Sequence, residues 1–378
     1  MSVVPFRIEI DEEDVVDLRR RLKMARFPPP VRGLTWEDGT SDHYLRELVS
    51  YWSDEYRWRD REARLNEHEH HLANIDGVGI HFILARSEDP KAIPLLLLGG
   101  WPSTFVQMLD IIPHLTSTMP KGLPSFHVVA ATLPGYPFSE IPREPGMSFA
   151  KIADLMNNLM VEELGFDSYG CRGSDQGALV QVQICLKHRN HVIGVHRSGI
   201  MPFASPMPQD LSVAEVEYQK KVQSWAQQEA VYARLQSLRP ETLTPALSDS
   251  PVALASWVIE KFQRWGDCKG GSPDKIFGRD KLLDNLSLLW FTGAGAASIR
   301  HYREVMRNPG LTGRVEVPTA ILMPLNDRVT LPAPREWAER TYNVVRWNSL
   351  QVGGHFPEWE VPELLAADLK GFFAELAI

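Results

Sequence analysis

The sequence predicts an α/β fold, a mostly parallel central sheet with flanking helices, a helical lid and an N-terminal extension. Three observations predict it. From residue 75 onward, short β-like runs alternate with helical patterns, and strands that alternate with helices build a parallel sheet covered on both faces. The alternation stops from about 203 to 307, where the pattern is mainly helical, with prolines and no convincing strand. The composition, 44% hydrophobic and 23% charged over 378 residues, suits a globular chain that can bury a full core.

The elements follow in order. Residues 11–26 carry Val15, Leu18 and Leu22 at helical spacing, and Phe27 with the three prolines after it stops that helix. Residues 41–52 predict a second helix, with Tyr44, Leu45 and Leu48 on one side. Strands are expected at 79–84, 93–98, 126–132, 168–171, 192–196, 318–323 and 344–350, with helices at 149–164 and 178–187 among them. The chain then divides into an extension with the first strands (1–90), a first core part (91–202), a lid (203–307) and a second core part (308–378). A helical insertion between two strands of such a sheet is placed to cover the strand ends, where ligands bind in this architecture.

Composition excludes some functions. The net charge of -8, with no basic block, argues against nucleic acid and anionic lipid as partners. Acids and bases interleave through the first 30 residues with no apolar leader, and the longest clean apolar run, 94–98, is too short to span a bilayer. The expectation is therefore a soluble, cytoplasmic protein with no membrane contact, its homo-oligomeric state left open. Cys171, Cys185 and Cys268 form no metal-type pair and read as ordinary reduced residues. His68, His70 and His71 read as a polar loop, and no metal or cofactor is implied.

Chemistry concentrates at Tyr169-Gly-Cys-Arg-Gly-Ser-Asp-Gln-Gly177, a short strand followed by Gly173-x-Asp175-x-Gly177 and a helix. This is the pattern of a nucleophile elbow, a sharp strand-to-helix turn whose flanking glycines leave the central side chain exposed. With 26 glycines and 48 acidic residues, about 0.2 chance matches are expected. Only its place between strand and helix gives the pattern weight. Two partners follow in the chain order this turn uses. Asp327 lies just past the apolar run 318–323, and His355 follows Gly353 and Gly354 after the last strand.

A carboxylate nucleophile forms an ester with the carbon it attacks, so a histidine is then needed to activate water against that ester. The tetrahedral intermediate requires an oxyanion hole. The N–H of Gln176, after the nucleophile, and that of Trp101, in Gly99-Gly-Trp-Pro102, are the candidate donors. Trp101, Pro102 and Gln176 are also expected to contact substrate.

Several segments together resemble the microsomal-type epoxide hydrolases, in a form without a membrane anchor. They are Leu18-Arg-Arg-Arg-Leu22 and Tyr56-Arg-Trp-Arg59 in the extension, Leu133-Pro-Gly-Tyr-Pro-Phe-Ser139 in the core, and the elbow. The lid adds Arg239-Pro-Glu-Thr-Leu243, Ala246-Leu-Ser-Asp-Ser-Pro251 and Trp257-Val-Ile-Glu-Lys-Phe262, the most distinctive match. The resemblance covers almost the whole chain. It implies an α/β-hydrolase fold, a small apolar epoxide and water as reactants, no cofactor, and a detoxifying role. It also implies two lid tyrosines that protonate the epoxide oxygen, at positions matching Tyr232 and Tyr302.

The sequence departs from that pattern at three places. Gly99 stands where the family has histidine, which removes a side chain that helps hold the oxyanion loop and predicts a looser loop. Gln176 stands where tryptophan is common. The acid loop Pro324-Leu-Asn-Asp-Arg328 is longer, so alignment can nominate Asn326 in place of Asp327; Asp327 is preferred because a carboxylate stabilises the imidazolium that forms. Two other functions share the elbow. A haloalkane dehalogenase would want halide donors where this chain has Gln176 and paired tyrosines, and an idle homologue would merely bind an apolar ligand.

Overall fold

The computed structural model describes residues 3–118, 122–200 and 207–376. The apolar runs pair into a nine-stranded sheet, in the order β1-β2-β3-β5-β4-β6-β7-β8-β9. Its strands are β1 (Val4–Phe6), β2 (His70–Ile75), β3 (Val78–Ala85), β4 (Ile93–Leu98), β5 (Phe126–Ala131), β6 (Tyr169–Gly173), β7 (Val192–Ser198), β8 (Val315–Pro324) and β9 (Tyr342–Leu350). Strands β4 to β9 pair in parallel, whereas β1, β2, β3 and β5 join through antiparallel ladders. Leu95 to Leu98 of β4 are wholly buried, as a strand with no polar face must be.

The order of the strands positions the site. The chain runs outward from β4 to β5, then returns to lay β6 on the other side of β4, so the direction of winding reverses there. A crevice opens beyond the carboxyl ends of strands at such a reversal. Register places Leu98 opposite Gly173, so the loops that leave β4 and β6 emerge side by side. Those loops carry Trp101 and Asp175.

Between β7 and β8 the described residues form helices from Val213–Gln228 to Arg300–Arg307 and no strand, as the sequence predicts. The expected start of this segment, at 202–203, lies outside the described residues. Ser212 opens the first helix with a capping box to Glu215, and Ser250 caps Pro251–Trp265 with proline at its first position. The extension does not stand apart from the lid. Tyr56 Oη donates to Asp284 Oδ1 at 2.8 Å and Arg61 forks onto the same buried carboxylate, while Trp52 Nε1 donates to Ser287 Oγ at 3.0 Å. Both acceptors lie on the lid helix Arg279–Phe291.

Two expectations are corrected. His70 and His71 belong to strand β2 and not to a polar loop. His70 is buried, with Nδ1 at 2.9 Å from His81 Nε2 and Nε2 at 2.8 Å from the Leu65 carbonyl; His81 Nδ1 in turn meets Thr132 Oγ1 at 2.9 Å. Sheet pairing and this polar chain together overrode the turn-like composition of His-His-Leu-Ala-Asn. The helix expected at 149–164 is α-helical only over Phe149–Asn158 and widens into a π turn over Leu159–Glu163.

Candidate active site

Strand β6 ends at Gly173, Ser174 is extended, and the helix Asp175–Lys187 begins at once. Asp175 has φ +48°, the left-handed region that residues with side chains seldom occupy, so the turn is strained at its apex. Packing explains two of the surrounding glycines. A Cβ on Gly177 would lie 2.3 Å from the Leu98 carbonyl oxygen, and one on Gly100 would lie 2.1 Å from Asp175 Oδ1. No side chain fits at either place.

The three expected chemical residues come together. Asp175 Oδ1 accepts the Trp101 N–H at 2.9 Å, and Asp175 Oδ2 lies 3.3 Å from His355 Nε2. On the other edge of the imidazole, His355 Nδ1 lies 3.2 and 3.1 Å from the two oxygens of Asp327. Asp327 is buried and further held by Val329 N–H at 2.7 Å and Thr330 Oγ1 at 2.6 Å. Asn326, the alternative acid-loop candidate, instead donates to Asp267 Oδ2 and the Gln351 carbonyl. The Gln176 N–H belongs to the first turn of that helix, and its nitrogen lies beside Gly100, the residue before Trp101.

Electrostatics follow from that geometry. Burial disfavours a charged His355, but the charge of Asp327 and hydrogen bonds to Asp175 and Asp327 outweigh it and raise the imidazole to about 10. Burial likewise opposes a charged Asp327, yet His355, Thr330 and the Val329 N–H hold it below the usual carboxylate range. At neutral pH His355 is therefore an imidazolium against the Asp327 carboxylate.

A cavity of about 420 Å³ opens above Asp175, lined by Gln176, Leu179, Trp225, Tyr232 and Tyr302 among others. The two lid tyrosines come from different helices, Val231–Leu238 and Arg300–Arg307, and meet edge to face with ring centroids 5.8 Å apart. Burial pushes both phenols above their ordinary range, helped by the Asp175 charge at Tyr232 and by Tyr232 and then Asp175 at Tyr302, so both keep their protons. The Trp101 ring stacks on Tyr232 at 5.4 Å but is not itself among the lining residues, although the sequence predicts that it contacts substrate. Pro102 is not among the lining residues; its carbonyl accepts from Asn285 of the lid. A second cavity, of about 530 Å³, is lined by charged residues such as Arg143, Glu241 and Glu304 and does not include Asp175.

Sequence reasoning missed the residues that hold the histidine loop. Glu360 accepts the N–H groups of Gly354, Phe356 and Asp267 at 2.9, 2.9 and 2.8 Å, and the Trp265 carbonyl accepts His355 N–H at 3.0 Å. Tyr136 Oη donates to Gln176 Oε1 at 3.0 Å. The one available signal was Glu360 itself, an acid a few residues after a glycine-rich loop with several unpaired amides. Among the described residues no three His, Cys, Asp or Glu side chains gather to hold a metal ion, and no helix is long and apolar enough to cross a membrane.

Sheet order, elbow and the Asp–His–Asp line define an α/β-hydrolase-fold protein, and residues 93–240 match the family described as alpha/beta hydrolase fold. Residues 3–108 match the family described as Epoxide hydrolase N terminus. A relative from Stigmatella aurantiaca is 36% identical over 99% of this chain and 86% of its own. Epoxide hydrolase 1 of Sus scrofa is 31% identical over 99% of this chain and 89% of its own. The crystal structure of juvenile hormone epoxide hydrolase from the silkworm Bombyx mori superposes with a TM-score of 0.88 at 30% identity, covering 100% of this chain and 94% of that one. The chain belongs to the epoxide hydrolase family.

Proposed function

We propose that this enzyme converts a small apolar epoxide and water to a vicinal diol through an ester on Asp175. The observation that carries the proposal is the arrangement around that carboxylate. One oxygen, Oδ1, already accepts a backbone N–H, the other faces a histidine, and an apolar cavity with two protonated phenols stands over them.

The steps follow from these positions. Tyr232 and Tyr302 hydrogen-bond to the epoxide oxygen and protonate it as Asp175 Oδ2 attacks a ring carbon; a C–O bond forms on Oδ2 and the ring C–O bond breaks. The proton lost from the phenols is replaced from the His355 imidazolium. Esterification also removes one of the two carboxylate charges that raise His355. The neutral imidazole, still oriented by Asp327, then takes a proton from water as that water adds to the ester carbonyl. Trp101 N–H and Gln176 N–H receive the developing charge on Oδ1. Collapse releases the diol carrying the former Oδ2, His355 protonates that leaving oxygen, and the acid left on Asp175 returns its proton to the imidazole.

One observation favours this chemistry over halide release: the lid offers the two hydroxyls an alkoxide leaving group needs. Mass spectrometry of enzyme quenched during a single turnover with styrene oxide should find the adduct on Asp175, and Asp175→Asn should fold yet form none. An adduct on another residue would remove the proposal.

A further inference from the structure

Gly99 has no side chain with which to brace the oxyanion loop, and the sequence alone predicts a loose one. The structure packs this region tightly. A Cβ on Gly99 would meet the Met108 methyl at 2.8 Å, and beside it only a cavity of about 20 Å³ remains, lined by Gly99, Gly100, Ser103 and Met108 among others. That is room for about one water.

Beneath the loop runs a buried polar chain that no step above uses. Ser103 N–H and Oγ both lie on the Gly100 carbonyl, at 3.1 and 2.9 Å, and the hydroxyl also meets Gln107 Oε1. Gln107 Nε2 donates to Glu358 Oε2 at 2.6 Å. Glu358 Oε1 lies 2.8 Å from Arg172 Nη2, off the axis of a directed hydrogen bond, so charge attraction holds that contact. Arg172 donates in turn to the Gly173 carbonyl and to Ser198 Oγ, at 2.8 Å each. Arg172 and Glu358 are wholly buried, and Ser103 and Gln107 are 2% exposed.

The two ends of this chain matter. One is Gly100, whose neighbour Trp101 aims its N–H at Asp175; the other is Arg172, three residues before Asp175 on the strand that forms the elbow. A wholly buried ion pair adds little net stability over apolar residues of the same shape, so its presence here suits a device that fixes geometry.

We infer that Ser103, Gln107, Glu358 and Arg172 are positioning residues that lock the oxyanion loop in register with the elbow and so keep Trp101 N–H on Oδ1 of Asp175. The inference rests on the aspartyl-ester proposal. Its consequence is selective. Ring opening depends on Oδ2 and the lid tyrosines, whereas ester hydrolysis builds full charge on Oδ1 and needs the loop in place.

Ser103→Ala and Gln107→Met each cut the chain at an uncharged link, and Ser103→Ala removes so little that folding is not at stake. Rapid-quench single turnovers with styrene oxide, read by intact-protein mass spectrometry, separate the two half-reactions. Each variant should hydrolyse the ester about tenfold to a hundredfold more slowly, with ring opening changed less than threefold. The ester then accumulates, and kcat and KM fall together. The double variant should be no slower than the slower single, because both cut one chain. Variants that hydrolyse the ester within twofold of the parent, or that lose both half-reactions equally, would overturn the inference. The parent enzyme in the same experiment reports on the underlying proposal: no adduct on its Asp175 would sink that proposal, whereas a normal parent adduct confines any failure to the positioning chain.

Discussion

Replacing Asp327 with asparagine isolates what the buried carboxylate does for His355. The amide has nearly the same shape, so the Val329 N–H at 2.7 Å can keep its carbonyl acceptor. The other oxygen, 3.1 Å from His355 Nδ1 and 2.6 Å from Thr330 Oγ1, becomes an NH₂ group. An NH₂ there donates to Nδ1 and so favours the neutral imidazole that carries its proton on Nε2, the atom that faces Asp175 and must accept the proton of water. The imidazolium also loses the larger of the two carboxylate charges that raise it to about 10. A wrong tautomer behind an intact geometry costs a triad on the order of 10⁴-fold. Ester hydrolysis at pH 7 should therefore fall by roughly 10³- to 10⁴-fold in Asp327→Asn, with ring opening reduced less than tenfold. Asn326→Ala is the matched control, because Asn326 bonds Asp267 and Gln351 and not His355. The assay is rapid quench with separate fits to ester formation and decay. Hydrolysis within threefold of the parent in Asp327→Asn, or a large loss in Asn326→Ala, would refute the assignment.

Other expectations follow from the same coordinates. Tyr232→Phe and Tyr302→Phe should each slow ring opening about tenfold to a thousandfold and leave decay of a formed ester unchanged, as burst kinetics would measure; unaltered bursts in both would remove the phenols from the mechanism. Burial lowers His70 to about 4, below the ordinary histidine value, so the unfolded chain binds the extra proton first. Its contribution is complete above about pH 6.5 and is lost as pH falls toward about 4, so Tm should drop through that window and drop less steeply in His70→Gln; equal slopes would exclude His70 as a source. Asp284→Ala strands Arg61 and Tyr56 under the lid and should cost about 3–5 kcal/mol in urea unfolding, against less than about 1 kcal/mol if the contact is dispensable.

What the sequence disclosed was what short-range pattern can carry. The elbow was legible because Gly173 and Gly177 flank an acid between strand and helix, and strand β4 because Leu95 to Leu98 leave no polar face. Asp327 and His355 were legible as residues following strands. Strand β2 was not, since His70, His71 and Asn74 give it the composition of a turn, and the buried His70 ring finds its partner His81 on β3 only once the strands pair. The brace on the His355 loop was hidden for a similar reason. Glu360 earns its place through three backbone amides, and backbone donors have no sequence signature. Arg172 and Glu358 lie at opposite ends of the core sequence and meet only because β6 and the segment after His355 fold to the same floor.

The proposed ester makes a demand on where oxygen goes, and one isotope measurement meets it directly. In a single turnover in H₂¹⁸O with enzyme in excess over styrene oxide, the diol should leave with the unlabelled Oδ2 of Asp175, and the peptide containing Asp175 should gain one ¹⁸O. Label in the diol from that first turnover, with Asp175 unlabelled, would mean that water attacks the epoxide itself, and Asp175 would be no nucleophile.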